Sequence, residues 1–235
     1  MKPSNSRTLS VIIPTLNEAA YIGNLLEYLK ANSCPENIKE IIVVDGGSTD
    51  ATIPLAKTLG AKILFTEKGR AKQMNKGAEL ATGEVLYFLH ADTFPPKNFD
   101  HYILNAVHNK IYSGCFRMKF DTSKRFLRFF AWFSRLNNRL CRGGDQSLFI
   151  LNDLFLKTGG FNEKYLIYED TEFIGRLYKT SKFKVLPQHV VTSARKYEKL
   201  GTIRLQYHFG IIHLKNLLGF GPDQLYRYYK KNIAS

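Results

Sequence analysis

Along the first half of the chain, short apolar runs alternate with stretches whose apolar positions fall three and four residues apart. Leu9–Pro14, Ile41–Val44, Lys62–Phe65 and Val85–Leu89 read as strands. The apolar, β-branched character of most of them predicts strands covered on both faces. Between them, Ile22, Leu25, Leu26 and Leu29 mark one helix opening at Asn17-Glu18. Asp50 or Thr49 caps a second helix running through Leu59, with Gly60 ending it. A third spans Arg70–Ala81 and closes at Gly83, and Pro95-Pro96 opens a fourth through about Val107. Strands separated by helices predict βαβ units and a largely parallel central sheet flanked by helices.

The second half is less regular. The pattern predicts strands at Ser113–Phe120, Ser147–Leu151 and Lys184–Leu186, and a long basic-aromatic helix over Lys124–Leu140. A short helix capped by Asn152 or Asp153 ends at Gly159-Gly160, and further helices fall at Glu169–Lys179, Thr202–Leu218 and Pro222–Asn232. With no internal repeat or linker, one α/β domain over 1–235 is expected: a nucleotide-binding half (9–110), an acceptor and catalytic half (111–200) and a basic helical tail (201–235).

Composition narrows the class. The 44% hydrophobic and 23% charged content is globular. No apolar run approaches the roughly 18 residues of a membrane span, and Met1–Arg7 lacks the apolar core of a secretory leader. Cys34, Cys115 and Cys141 match no metal or redox spacing, which predicts reduced thiols in a cytoplasmic protein. The net charge of +14 is confined to two segments: 117–142 carries +7 and 180–235 carries +8. Such localised basicity points to an anionic partner, whether diphosphate, nucleic acid or an acidic membrane surface. No nucleic-acid-binding module is recognisable, which argues against the second.

Candidate chemistry clusters where apolar runs end, the crevice side of an open α/β sheet. Val44-Asp45-Gly46-Gly47 is a tight strand-ending turn. Asp45 suits a base N–H or ribose hydroxyl, and equally the capping of its own turn. Asp92, in His90-Ala91-Asp92-Thr93, suits Mg²⁺ or Mn²⁺ bridging two phosphates, or a helix cap ahead of Pro95. Arg70 opens its helix beside Gly69 and suits diphosphate neutralisation. Glu169-Asp170 suits a general base, or favourable acids at a positive helix end. Gly143-Gly144-Asp145-Gln146 suits a loop closing over a ligand, or any turn.

In series, these segments resemble the family 2 inverting glycosyltransferases of GT-A fold. The matching text is Ser10-Val11-Ile12-Ile13-Pro14-Thr15-Leu16-Asn17-Glu18, Val43-Val44-Asp45-Gly46-Gly47-Ser48-Thr49-Asp50, Gly69-Arg70-Ala71, Gly83 through Asp92, Gly143-Gly144-Asp145-Gln146 and Tyr168-Glu169-Asp170. It covers residues 9–180 in the family's order and is similar in wording to a small bacterial branch. The resemblance implies that Pro14, Thr15, Asn17 and Glu18 line the nucleotide site. Asp45 then holds the base or ribose, with Gly46 and Ala91 also at the nucleotide and Arg70 near the diphosphate. Asp92 becomes the metal-contacting end of an Asp-x-Asp element, Asp170 the catalytic base, and Glu169 an orienting group for the acceptor. Gly144, Asp145 and Gln146 shape the acceptor side. His90 departs from the pattern, standing where many members carry the first aspartate. The processive members' Gln-x-x-Arg-Trp element is absent, which favours transfer of one sugar.

The implied partners are a nucleotide-diphosphate sugar, UDP-linked by family frequency, and a hydroxylated or lipid-linked acceptor. On a continuous helix, Arg125, Arg128, Arg135 and Arg139 fall within an arc of roughly 80° around Trp132. That stripe predicts peripheral attachment to an anionic membrane surface, or a solvated basic edge on a core-packed helix. Rival readings are a catalytically inactive nucleotide-sugar binder and a sugar-phosphate nucleotidyltransferase. The latter expects a glycine-rich N-terminal loop, and Ser10–Glu18 contains no glycine.

Overall fold

Strand β1 (Leu9–Thr15) sends Leu9, Val11 and Ile13 into one core and Ile12 into another, all fully buried. β2 (Ile38–Asp45) and β4 (Val85–Phe88) divide their side chains in the same way. Burial on both faces explains why these runs lack polar alternation. The arrangement is that of a computed structural model, which describes residues 7–142 and 146–234.

β1 lies between β2 and β4 and runs parallel to both, and β3 (Lys62–Phe65) extends the sheet parallel to β2. The crossovers use α1 (Ala19–Ala31), α2 (Thr52–Thr58) and α3 (Arg70–Glu79). α1 buries Ile22, Leu25, Leu26 and Leu29, the spacing expected. α3 approaches closely because Gly77 has no side chain: a Cβ there would stand 2.5 Å from Ile12 Cγ2.

The remaining strands are β5 (Thr93–Phe94), β6 (Ser113–Phe120), β7 (Leu148–Leu151) and β8 (Phe183–Thr192). Among the described residues they complete one eight-stranded sheet, β3-β2-β1-β4-β7-β6-β8-β5. The first half is parallel as expected. The second half mixes directions, with β7 antiparallel to β4 and β6, β8 parallel to β6, and β5 antiparallel to β8.

Several elements differ from expectation for identifiable reasons. Thr93-Phe94 pairs with Thr192 and Val191, so the chain stays extended through the prolines. α4 (Phe99–His108) therefore starts later, after Asn98 at φ +57. The strand foreseen at Lys184–Leu186 is much longer, because its register slips at Pro187-Gln188. Phe116 pairs with Leu186 but Arg117 with His189, a bulge that accommodates proline. The long helix over Lys124–Leu140 does not form. α5 (Arg125–Trp132) gives way to a 3₁₀ turn at Phe133–Arg135, then extended backbone, then a second 3₁₀ turn at Arg139–Cys141.

The break follows from Arg142. Its side chain, 1% exposed, donates to the carbonyls of Ser134 (2.8 Å), Leu136 and Asn138 (3.3 Å). In a continuous helix those carbonyls accept from N–H groups four residues on. The four arginines thus remain exposed but share no single helix.

α6 (Asn152–Thr158) ends on Gly159 in the left-handed conformation, and α7 (Glu169–Thr180) follows. The C-terminal helices α8 (Arg195–Leu200, not foreseen), α9 (Thr202–Leu217) and α10 (Pro222–Asn232) pack with α5 around a third core including Leu127, Leu205, Ile212 and Leu225. The cysteines are free thiols. Among the described residues no helix is long and apolar enough to cross a membrane.

Candidate active site

The carboxyl ends of β1 and β2 are tied together before any ligand is considered. Asp45, 2% exposed, accepts from the backbone N–H of Gly47 (2.9 Å) and Ser48 (2.8 Å) and from the Ser48 hydroxyl. Thr15 Oγ1 lies 3.4 Å from the same carboxylate, and Gly46 N–H donates to Thr15 O at 3.0 Å. Buried Gln73 of α3 donates Nε2 to both Thr15 O (2.7 Å) and Val44 O (2.8 Å). Gly46 packs tightly against it: a Cβ there would meet the Gln73 amide at 3.2 Å, so the amide would have to shift. Asn17, at φ +56, accepts from Thr49 N–H at 2.9 Å, and its own N–H donates to Ser48 Oγ at 2.8 Å. Asp50 joins the starts of two helices, accepting from Ala19 N–H at 3.1 Å and Thr52 N–H at 3.0 Å.

Beyond β4, Ala91 packs into the core while Asp92 is partly exposed and meets Arg195. Asp92 Oδ2 lies 2.9 Å from Arg195 Nη2, and the same nitrogen lies 2.7 Å from Glu18 Oε1. Arg195 also sits over the Tyr21 ring, 4.4 Å from its centroid. Glu18 Oε2 is buried and has no hydrogen-bond partner among the described residues. No group of three histidine, cysteine, aspartate or glutamate side chains capable of holding a metal occurs among the described residues. A metal held at Asp92 would have to draw most of its ligands from phosphate oxygens and water, the usual habit of Mg²⁺.

The third contribution comes from the start of α7. Tyr168, at φ +71, aims Glu169 and Asp170 inward, with the two residues 2% and 8% exposed. Burial and the neighbouring Asp170 charge push the Glu169 carboxyl above its ordinary range, and Arg70 opposes them from 3.9 Å. Asp170 Oδ2 is 3.8 Å from His90 Nε2. Pro14, His90, Ser147 and Asp170 line one cleft. Non-glycine residues at positive φ are rare, and Asn17, Ser147 and Tyr168 all border this region, where backbone strain often serves function.

The structure thus brings Pro14, Thr15, Asn17, Glu18, Asp45, Gly46, Asp92, Glu169 and Asp170 to the same side of the sheet. Arg70 stands beside Glu169. Gln146 turns inward, accepting from Arg142 Nη1 at 2.7 Å and donating to Cys141 O at 2.9 Å. Gly144 and Asp145 lie outside the described residues. Sequence reasoning missed Arg195, Gln73 and His213. Reading the whole of β8 as a strand was the available signal for Arg195, which opens the helix just after it.

Polar loops at the carboxyl ends of parallel strands define the ligand crevice of an open α/β protein. Comparison makes the class specific: the chain belongs to glycosyl transferase family 2, whose model matches residues 10–156. A PGL/p-HBAD biosynthesis glycosyltransferase of Mycobacterium bovis is 41% identical over 90 residues, 35% of this chain and 34% of that protein. The chain matches only about a third of that relative's length. A mannosyltransferase from Pyrobaculum calidifontis, in complex with GDP-Man and Mn²⁺, superposes with a TM-score of 0.68 at 20% identity. The match covers 97% of this chain and 70% of that one. Glucosyl-3-phosphoglycerate synthase from Mycobacterium tuberculosis, in complex with Mn²⁺, UDP and glucosyl-3-phosphoglycerate, also gives 0.68, at 17% identity over 92% and 81% of the two chains. The fold is the GT-A arrangement expected.

Proposed function

We propose that this protein transfers one sugar from a nucleotide-diphosphate sugar, with UDP the first candidate, to a hydroxyl or phosphate acceptor, inverting the anomeric carbon. The observation that carries this reading is Asp170, buried at the start of α7 and sharing a cleft with Pro14 and His90. Asp170 takes the acceptor proton as the acceptor oxygen attacks, and Glu169 orients the acceptor. The nucleotide lies over Pro14, Thr15, Asn17, Asp45 and Gly46, so that the diphosphate leaves from the face opposite Asp170. Attack and departure on opposite faces invert the centre.

Glu18, Asp92, Glu169 and Asp170 are four acids set against two arginines, Arg70 and Arg195. A diphosphate approaching that excess needs a further cation. Asp92 is the residue suited to hold Mg²⁺ or Mn²⁺, whose contribution is to neutralise charge on the departing diphosphate. The ions named in the solved neighbours support this assignment.

The acceptor side borders a basic, aromatic surface. Phe126, Phe129, Trp132, Leu136 and Leu140 are exposed among Arg125, Arg128, Arg135 and Arg139. Ile203, Tyr207, Leu214 and Leu218 are exposed on and beside α9. Basic side chains among exposed aromatics suit an anionic bilayer, so the acceptor is a lipid-linked one taken at the membrane surface. Replacing the four arginines should abolish binding to phosphatidylglycerol vesicles. No binding by the intact protein overturns the membrane part alone.

A thermal-shift panel of UDP- and GDP-sugars with Mg²⁺ or Mn²⁺ tests the donor assignment, because a ligand specific to the folded state raises Tm. A metal-dependent rise with one donor class is expected. No rise with any donor rejects the reading.

A further inference from the structure

We propose that Arg195 is the diphosphate-binding cation of this crevice, held on Asp92 and Glu18 until a divalent cation arrives with the donor. The inference rests on the nucleotide-diphosphate reading above. It assigns a residue outside 10–156, the stretch matched by the family model.

The geometry is that of a side chain placed in advance. Glu18 Oε1 and Asp92 Oδ2 both reach Nη2, at 2.7 and 2.9 Å, and the Tyr21 ring supports the guanidinium from 4.4 Å. An arginine carries five N–H donors, of which Nη2 supplies two. Among the described residues no hydrogen bond engages Nε or Nη1, and the side chain is 40% exposed. A planar fork with donors to spare fits the paired oxygens of a phosphate.

Charge explains the exchange. Two carboxylates share one arginine, leaving this cluster with one negative charge and little attraction for a free diphosphate. When a divalent cation takes Asp92, Arg195 loses one of its two acid partners while Glu18 still anchors it. The cluster then carries net positive charge, and the guanidinium can turn toward phosphate. Arg195 and the metal therefore compete for Asp92 in the absence of phosphate and cooperate in its presence. A purely structural salt bridge predicts no such reversal.

The test uses calorimetry on the full chain: Mn²⁺ alone, then sodium pyrophosphate in excess Mn²⁺, with wild type, Arg195→Met and Arg195→Lys. Arg195→Met should bind Mn²⁺ at least as tightly as wild type, because its competitor is gone. It should bind pyrophosphate about tenfold or more weakly, the scale of one charge-assisted contact. Arg195→Lys, which keeps charge without the fork, should lose about threefold or more on the same scale, and it decides the matter if the methionine variant does not fold. Unchanged pyrophosphate affinity, loss of Mn²⁺ affinity in parallel, or no pyrophosphate binding by wild type overturns the assignment. If pyrophosphate binds through Arg195 but UDP and GDP bind no tighter, the sugar-nucleotide reading fails and the Arg195 assignment stands.

Discussion

His213 Nδ1 lies 2.6 Å from the hydroxyl of Tyr168, so α9 grips the residue that opens the helix bearing Glu169 and Asp170. Burial pushes the Tyr168 phenol up to about 12, so it keeps its proton and donates. Burial lowers the His213 pKa, which keeps that ring neutral and able to accept at Nδ1. A histidine whose folded pKa lies below its unfolded value of 6.5 contributes stability above that value and loses it as pH falls from there through the folded pKa. On acidification from about pH 7.5 to about pH 5, the wild-type Tm should fall relative to that of His213→Phe. An identical slope in the variant removes the latch.

Glu169 runs the other way. Burial first, and the Asp170 charge second, raise its pKa above the ordinary 4.5. The folded state therefore holds the proton longer than the unfolded chain, and stability declines as pH rises from that value through the folded pKa. Glu169→Gln keeps the shape without the ionisation. Its Tm should exceed that of wild type by a few degrees at neutral pH, on the scale of about 2–4 °C per kcal/mol for a chain of this size. A lower Tm than wild type across about pH 5 to 8 contradicts the sign.

Asp170→Asn separates binding from turnover. General-base assistance contributes about 10²–10⁴-fold, so kcat should fall by that factor while donor affinity stays within about twofold. Turnover and nucleotide affinity are measured on the same preparation. Turnover equal to wild type moves the base elsewhere.

Gln73→Ala removes the amide donor from the Thr15 and Val44 carbonyls, leaving Thr15 O to Gly46 N–H and Val44 O to the Thr15 hydroxyl. Each buried hydrogen bond so lost costs about 0.5–1.5 kcal/mol, and the turn at Asp45 loosens with them. A Tm lower by several degrees, with weakened nucleotide binding, is expected. Gln73→Glu brings a carboxylate to the same carbonyls and should do worse. A Tm unchanged in both variants dismisses this role for the amide.

The parallel first half was legible because β1, β2 and β4 are buried on both faces, so their apolar runs name themselves. The acids at their ends were legible for the same reason: once a strand is placed, its carboxyl-terminal loop is placed too. The second half resisted. Lys124–Leu140 has helical spacing throughout, yet Arg142 takes the carbonyls of Ser134, Leu136 and Asn138 and breaks the helix. Helical spacing records which side chains can share a face, and it is silent about a guanidinium four to eight residues on that competes for backbone oxygens.

By itself, then, the sequence determined the order of strands and helices through Val85–Leu89, the carboxylates of the crevice and the family to which they belong. Folding alone decided their partners: Arg195 meeting Glu18 across 177 positions of chain, and His213 meeting Tyr168 across 45. Local patterns carry propensity and burial, which act between near neighbours. An ion pair or a buried hydrogen bond exists only where separate elements pack, and packing is a property of the whole chain.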